Sequence, residues 1–317
     1  MKIIGKMASG NDSSVTEFVL LGLTQQPELQ LPLFFLFLGI YVMAVVGNLG
    51  LIVLIVLNPH LHTPMYYFLF NLSFVDLCYS CVIIPRMLMS FVKVNIIPYA
   101  ECLTQLFFFC FFVINEYYIL TCMAYDRYVA ICKPLLYKVI MSPQICLVLT
   151  VWVYAMGFVG AVAHTTCMLR LSFCNEHIIN HYMCDIAPLL PLSCTITYVN
   201  ELVIFVVLGI NTAVPSVTLF VSYSRILCSI LHIRSSHARS KAFSTCSSHI
   251  ITVCLFFGSA GLTYFKPFPG DSLAQGKLFS IFYTIVGPMM NPLIYSLRNK
   301  DVHVALSKMM KQKLVFS

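Results

Sequence analysis

The chain has 317 residues, 59% of them hydrophobic and only 10% charged, with a formal net charge of +7. A water-soluble domain carries about 25% charged residues, so this composition excludes one. The basic residues are split among separate segments, which makes nucleic acid a poor partner.

Residues 1–30 are mostly polar and hold no apolar core of the signal-peptide type. They read as an outer tail, with the first span acting as the targeting signal. Asn11-Asp-Ser13 is an N-glycosylation sequon in that tail. Apolar stretches long enough to cross about 30 Å of hydrocarbon follow near residues 31–57, 65–91, 102–128, 144–165, 200–227, 246–265 and 277–297. They are continuous rather than alternating, so helices are expected and a strand barrel is not. The expected fold is an all-α membrane protein, with a seven-helix bundle over residues 31–297. Asn71-Leu-Ser73 repeats the sequon inside the second span, where no transferase reaches.

Connections are short except for residues 166–199, between spans four and five. That loop carries Cys167, Cys174, Cys184 and Cys194. Loops of this length are functional or disordered, and cysteines on an oxidising side argue against disorder. Cys174, Cys184 and Cys194 with Cys102, at the start of span three, allow three pairings, and spacing chooses none. After span seven, Val302, Ala305, Leu306, Met309 and Met310 recur at helical spacing, with Lys308, Lys311 and Lys313 facing elsewhere. Residues 298–317 therefore suit a short amphipathic helix and tail on the inner leaflet.

With the N-terminus outside, twelve Lys and Arg fall in cytoplasmic segments and seven on the outer side. The excess favours an extracellular N-terminus and a cytoplasmic C-terminus. The basic inner face also suits anionic membrane lipid.

A few polar groups lie deep in the spans. Asp76, Glu116, Asn48 and Asn291 are the deepest. Two readings stand: an internal cation or water site, with sodium as the candidate ion, or protonated groups that hydrogen-bond neighbouring helices. Pro85, Pro215, Pro288 and Pro292 favour kinks. In Asn291-Pro292-Leu-Ile-Tyr295 a kink would let the inner end of span seven swing. Met123-Ala-Tyr-Asp-Arg-Tyr-Val-Ala-Ile-Cys132 places Asp126 beside Arg127 at the end of span three. A fixed charge in a span costs about 2.5–3.5 kcal/mol. A pair held together in one state and split in another is the physical form of a switch.

These residues resemble the odorant (olfactory) receptors of the rhodopsin-like, class A G-protein-coupled family, tetrapod-type group. The resemblance covers nearly the whole chain. It rests on Leu61-His-Thr-Pro-Met-Tyr66, Leu72-Ser-Phe-Val-Asp76-Leu-Cys78, Met123 to Cys132, Ser222-Tyr223, Lys241-Ala-Phe-Ser-Thr-Cys-Ser-Ser-His249 and Pro288-Met-Met-Asn-Pro-Leu-Ile-Tyr-Ser-Leu-Arg-Asn299. It implies that odorant binding activates a stimulatory, olfactory-type G protein and raises cyclic AMP at the plasma membrane. It implies a G-protein switch built from Asp126, Arg127, Tyr128, Tyr223, Asn291, Pro292 and Tyr295. Arg127 would leave Asp126, and Tyr223 and Tyr295 would move toward it. Asp76 and Glu116 would line the ion and water site. The implied disulfides are Cys102–Cys184 and Cys174–Cys194. Met7 resembles the usual family start, which would make residues 1–6 an extension. Two positions depart from the pattern: Tyr67, where Phe is usual, and Phe257, where Tyr is frequent. Phe257 makes the pocket floor more apolar.

The ligand site is expected in the outer halves of spans three, five, six and seven. Phe109, Cys110, Val113 and Ile114 share one helical face. Val207, Leu208, Asn211, Phe257, Ala260, Thr263, Tyr264, Ile281, Thr284 and Ile285 are the further candidates. This lining suits a small hydrophobic molecule fixed by one or two hydrogen bonds. The outer half of span three has no carboxylate for an amine, and the middle of span seven has no lysine for a Schiff base. His181-Tyr-Met-Cys184-Asp185, with His177, could look like a metal motif, whose His and thiolate ligands would suit Cu(I) or Zn. A disulfide-bonded Cys184 offers no thiolate, so no metal is expected. A transporter would show internal repeats and broken helices, and an enzyme would need a clustered nucleophile or metal set. Neither pattern is present, so a receptor without catalytic residues is expected.

Overall fold

Proline marks where three of the seven long helices begin. The computed structural model describes residues 15–173, 177–232, 235–264 and 272–298, and positions 302, 304, 305 and 307; a few side chains within these helices are not described. Helices α1 (Pro27–Leu57), α2 (Pro64–Met89) and α4 (Pro143–Leu169) open on Pro27, Pro64 and Pro143. A first-turn proline lacks only an N–H that would be unpaired there, and its φ is already helical. Ser142 caps α4 by accepting the Ile145 N–H at 3.4 Å. The others are α3 (Tyr99–Cys132), α5 (Tyr198–Leu231) and α6 (Ser236–Tyr264). Helix α7 runs over Ser272–Ile281, a π-helical turn Phe282–Val286, and Gly287–Arg298. All seven contain a stretch long and apolar enough to cross a membrane. Val302 and Ala305 are buried helical positions beyond α7.

The π turn was not expected. Gly287 donates its N–H to Phe282 O, five residues back. Pro288 has no N–H to continue the regular ladder, and such turns arise where that ladder is broken.

Helix α3 sits at the centre and packs against α2, α4, α5 and α6. Close approach to α4 depends on two glycines. A Cβ at Gly157 would lie 2.2 Å from Asn115 Oδ1, and one at Gly160 would lie 2.4 Å from Ile114 Cδ1. Small residues at membrane helix interfaces let backbones come together. Asn71, of the discarded sequon, is buried and accepts the Tyr154 hydroxyl at 3.2 Å.

The outer end carries a small sheet that the apolar pattern did not reveal. Strand β1 (Glu17–Leu20) lies between β2 (Asn95–Pro98), antiparallel to it, and β3 (Ile178–Ile179), parallel to it. Phe18 is fully buried in this cap, edge-on to Phe173 at 5.3 Å and tilted against Tyr99 at 6.2 Å. The expected tail of residues 1–30 thus contains a strand and the start of α1. The long loop is shorter than 166–199, because α4 continues to Leu169 and α5 starts at Tyr198. The Cys102–Cys184 disulfide ties that loop to the top of α3. Cys194 is disulfide-bonded; its expected partner Cys174 lies outside the described residues, as does Asn11.

The glycine contacts give a stability test. Gly157→Ala forces the buried Asn115 amide to move and should cost about 1–3 kcal/mol, lowering the melting temperature in detergent by roughly 3–10 °C. Gly39→Ala meets nothing within 4 Å and should leave it unchanged or raise it. Equal shifts in the two variants would refute the packing argument.

Candidate functional site: an outer cavity above a buried polar core

Seven of the expected pocket residues line one cavity of about 240 Å³: Phe109, Cys110, Val113 and Ile114 on α3, Leu208 and Asn211 on α5, and Ala260 on α6. The four α3 residues arrive together because positions i, i+1, i+4 and i+5 share a helical face. Sequence reasoning missed Tyr117 on α3, His164 on α4, Ile186, Ala187 and Leu190 of the loop, and Glu201, Ile204, Phe205 and Thr212 on α5. His164 carried a signal, since an ionisable side chain within an apolar span is a site candidate by default. The loop residues carried none until the disulfide placed them.

Val207, Phe257, Thr263, Ile281, Thr284 and Ile285 lie outside the described lining, and the Tyr264 side chain is not among those described. Phe257 packs edge-on against Tyr117 at 4.7 Å, one layer behind the wall. On α7, where a contribution was expected, the loop makes contact instead. Tyr182, fully buried, bonds Ser280 Oγ at 2.8 Å and Thr284 Oγ1 at 2.9 Å, so the inner face of α7 is turned to the loop. The Cys184 N–H donates to Gln105 Oε1 at 3.0 Å, beside the disulfide. Lys277 Nζ donates to Gly22 O at 3.0 Å and to Asn180 Oδ1 at 2.8 Å, joining α7, tail and loop. Gly22 has φ +71°, a left-handed conformation suited to glycine.

Below the cavity lies the polar core. Asn291 Nδ2 donates to Asp76 Oδ2 at 2.8 Å and lies 3.5 Å from Glu116 Oε1. Asp76 and Glu116 are both fully buried. Asn48 sits apart from the carboxylates: its Nδ2 donates to Ala44 O at 2.9 Å and to Pro288 O at 2.8 Å, clamping α1 to α7. A Cβ at Gly47 would lie 2.9 Å from Pro292 Cγ, so glycine makes room for that kink.

At the inner end, Asp126 and Arg127 do not form an ion pair among the described residues. Asp126 accepts the Tyr137 hydroxyl at 2.7 Å. Burial, then the Asp126 charge, push the Tyr137 phenol well above its usual range, so it remains a donor. Arg127 is 9% exposed, and its Nε has no hydrogen-bond partner. Its charge reaches Tyr223, Cys246, His249 and Tyr295. Tyr223 is hydrogen-bonded to His249 on α6. The Tyr295 hydroxyl is buried and approaches Thr252 without closing a hydrogen bond. Tyr128 packs against the inner-end cluster of Ile226, Ile230 and Cys246, and Lys133 lies 5.8 Å from its ring centre. The structure therefore brings Arg127, Tyr128, Tyr223 and Tyr295 into one neighbourhood, with Asp126 turned to Tyr137, while Asn291 and Pro292 sit with the polar core and α1. No group of three or more His, Cys, Asp or Glu suited to a metal occurs among the described residues.

A family model described as "Olfactory receptor" matches residues 37–313. Olfactory receptor 8B3 of Mus musculus is 68% identical over 303 residues, which are 95% of each chain. Olfactory receptor 8B8 of Homo sapiens is 66% identical over 307 residues, covering 96% of this chain and 99% of the relative. Among solved structures, squid rhodopsin superposes with a TM-score of 0.70 at 19% identity, covering 91% of this chain and 87% of that one. That likeness establishes the seven-helix fold.

The loop that roofs the cavity should be acid-sensitive. His181 stacks on Tyr182 at 4.4 Å and its Nε2 lies 3.4 Å from Ser280 Oγ. Burial, then the Lys277 charge, lower its pKa from 6.5 to about 3. The unfolded ring takes a proton below about pH 6.5 and the folded ring does not. Stability is therefore complete above that value and declines as pH falls toward about 3. Melting temperature should drop between about pH 7.5 and about pH 5.5, and His181→Gln should flatten that drop. An equal slope in the variant would refute the assignment.

Proposed function

The chain belongs to the olfactory receptor family, and we propose that it binds a small, mostly apolar volatile ligand in the outer cavity and activates a stimulatory, olfactory-type G protein at its inner face, raising cyclic AMP. The family is one of receptors rather than enzymes. We place the N-terminus outside and the C-terminus in the cytoplasm of the plasma membrane. The Lys and Arg distribution supports this. So does the disulfide at the end that carries the tail, because disulfides persist on the oxidising side.

One observation carries the reading: adjacent residues of α3 face the two halves of the mechanism. Tyr117 lines the cavity and packs on Phe256 and Phe257 of α6 at 4.9 and 4.7 Å. Glu116, its neighbour, joins the Asp76–Asn291 cluster. A ligand pressing on Tyr117 acts on α6 and on the polar core together. Two packed arrangements with different affinity for ligand are all that a population shift requires. In the active arrangement Arg127 faces the G protein, with Tyr223 and Tyr295 beside it.

The polar core fits a sodium ion. Asp76 Oδ1, Glu116 Oε2, Ser80 Oγ and Asn291 Oδ1 are buried oxygens without hydrogen-bond partners, and hard cations prefer oxygen ligands. Asp76 and Glu116 would hold the ion, which would supply the positive charge two buried carboxylates need. Asn291 fixes Asp76 on its other oxygen.

A cyclic AMP reporter with an odorant panel tests the coupling. Arg127→Ala, matched to wild type in surface expression, should lose at least about tenfold in response, equivalent to about 1.4 kcal/mol. Equal responses would remove Arg127 from the switch. Replacing Glu116 with Gln should abolish the sodium dependence of basal signalling; an unchanged dependence would leave the core as a hydrogen-bonded packing feature.

A further inference from the structure

The cavity is apolar apart from a few points, and two of these are deep. Asn211 on α5 is 5% exposed and donates Nδ2 to Val207 O at 2.8 Å. Only the amide nitrogen can donate to a carbonyl, so the amide orientation is fixed and Oδ1 is an acceptor. Asn211 Oδ1 has no partner. His164 on α4 is 4% exposed, and its Nδ1 also has no partner. Both residues line the cavity. They belong to one corner of it: a Cβ at Gly160 would lie 3.7 Å from Asn211 Nδ2, and His164 follows Gly160 by one turn on the same face. Buried polar atoms without partners cost free energy until something supplies the missing bond.

Resting on the receptor reading above, we propose that the ligand is an alcohol or phenol with one hydroxyl, whose O–H donates to Asn211 Oδ1 and whose oxygen accepts from the His164 ring. A hydroxyl both donates and accepts, and an imidazole carries an N–H in either tautomer. A ketone, aldehyde or ether only accepts and leaves Asn211 Oδ1 unmatched. A carboxylate finds no cation in the described lining. An ammonium would have to use Glu201, which is exposed at the rim and already accepts the Thr197 hydroxyl at 2.5 Å. The cavity, at about 240 Å³, is just below the roughly 300–1,000 Å³ of drug-sized sites, so the rest of the ligand is a short apolar skeleton.

Matched skeletons test this. Octanol, octanal, octyl methyl ether and octane, and menthol with menthone, are compared on the full chain in two readouts. One is binding to purified receptor in nanodiscs; the other is cyclic AMP in cells. The alcohols should bind and signal at least about tenfold more strongly than their carbonyl and ether partners, because a site built for a hydroxyl rejects the analogue lacking its donor. Asn211→Leu should remove that preference, and Asn211→Asp, which keeps an acceptor oxygen, should retain it. Should Asn211→Leu not reach the surface, His164→Phe is measured in its place and should weaken the preference. Equal affinity across partners, a preference for octanal or the ether, or no binding by any compound overturns the alcohol assignment. Alcohol-selective binding without cyclic AMP leaves the assignment standing and removes the coupling reading instead.

Discussion

Hydrocarbon offers no hydrogen bonds, so the polar side chains of α3 depend on partners within the protein. The helix meets that demand at four levels. Gln105 takes a loop N–H beside the disulfide, Glu116 shares Asn291 with Asp76, Thr121 bonds its own backbone, and Asp126 takes Tyr137. Apart from that of Thr121, each partner comes from a different part of the chain. Satisfying α3 therefore fixes the outer loop, α2, α7 and the inner loop relative to one another. The ligand cavity and the inner face are two ends of one constrained rod.

The constraint also explains which residues are poised to change. Arg127 keeps an unpaired Nε amid Tyr223, His249 and Tyr295. Asp126, next in sequence, is occupied by a tyrosine outside the span. In this structure Arg127 is therefore surrounded by groups on α5, α6 and α7 rather than paired with the adjacent acid. The π turn adds freedom near Asn291, because a π turn is a local departure from the regular ladder.

Much of the bundle was legible in the residues. The seven spans announced themselves through long apolar runs. The helix ends were not. Helix α6 begins at Ser236, ten residues before its apolar stretch, because Ser, His, Arg and Lys continue the helix into water without a hydropathy signal. The strands have two to four residues each, too few for a period to show. In the site, Phe109, Cys110, Val113 and Ile114 could be placed by the helical face they share. Thr284 could not, because Tyr182 reaches it from a loop whose path depends on a disulfide. His164 was passed over as one polar letter in an apolar line.

The order of the sheet has a consequence for assembly. The tail supplies the middle strand, β1, yet its neighbours β2 and β3 lie about 80 and 160 residues further along the chain. Synthesis delivers β1 first and its partners later. Strand β1 therefore cannot find both neighbours until residues through Ile179 have been made. The cap is thus closed by a segment that is made before both of its partners and pairs with them afterwards. Residues 17–20 fit, through Phe18, a slot whose walls, Tyr99 and Phe173, come later in the chain.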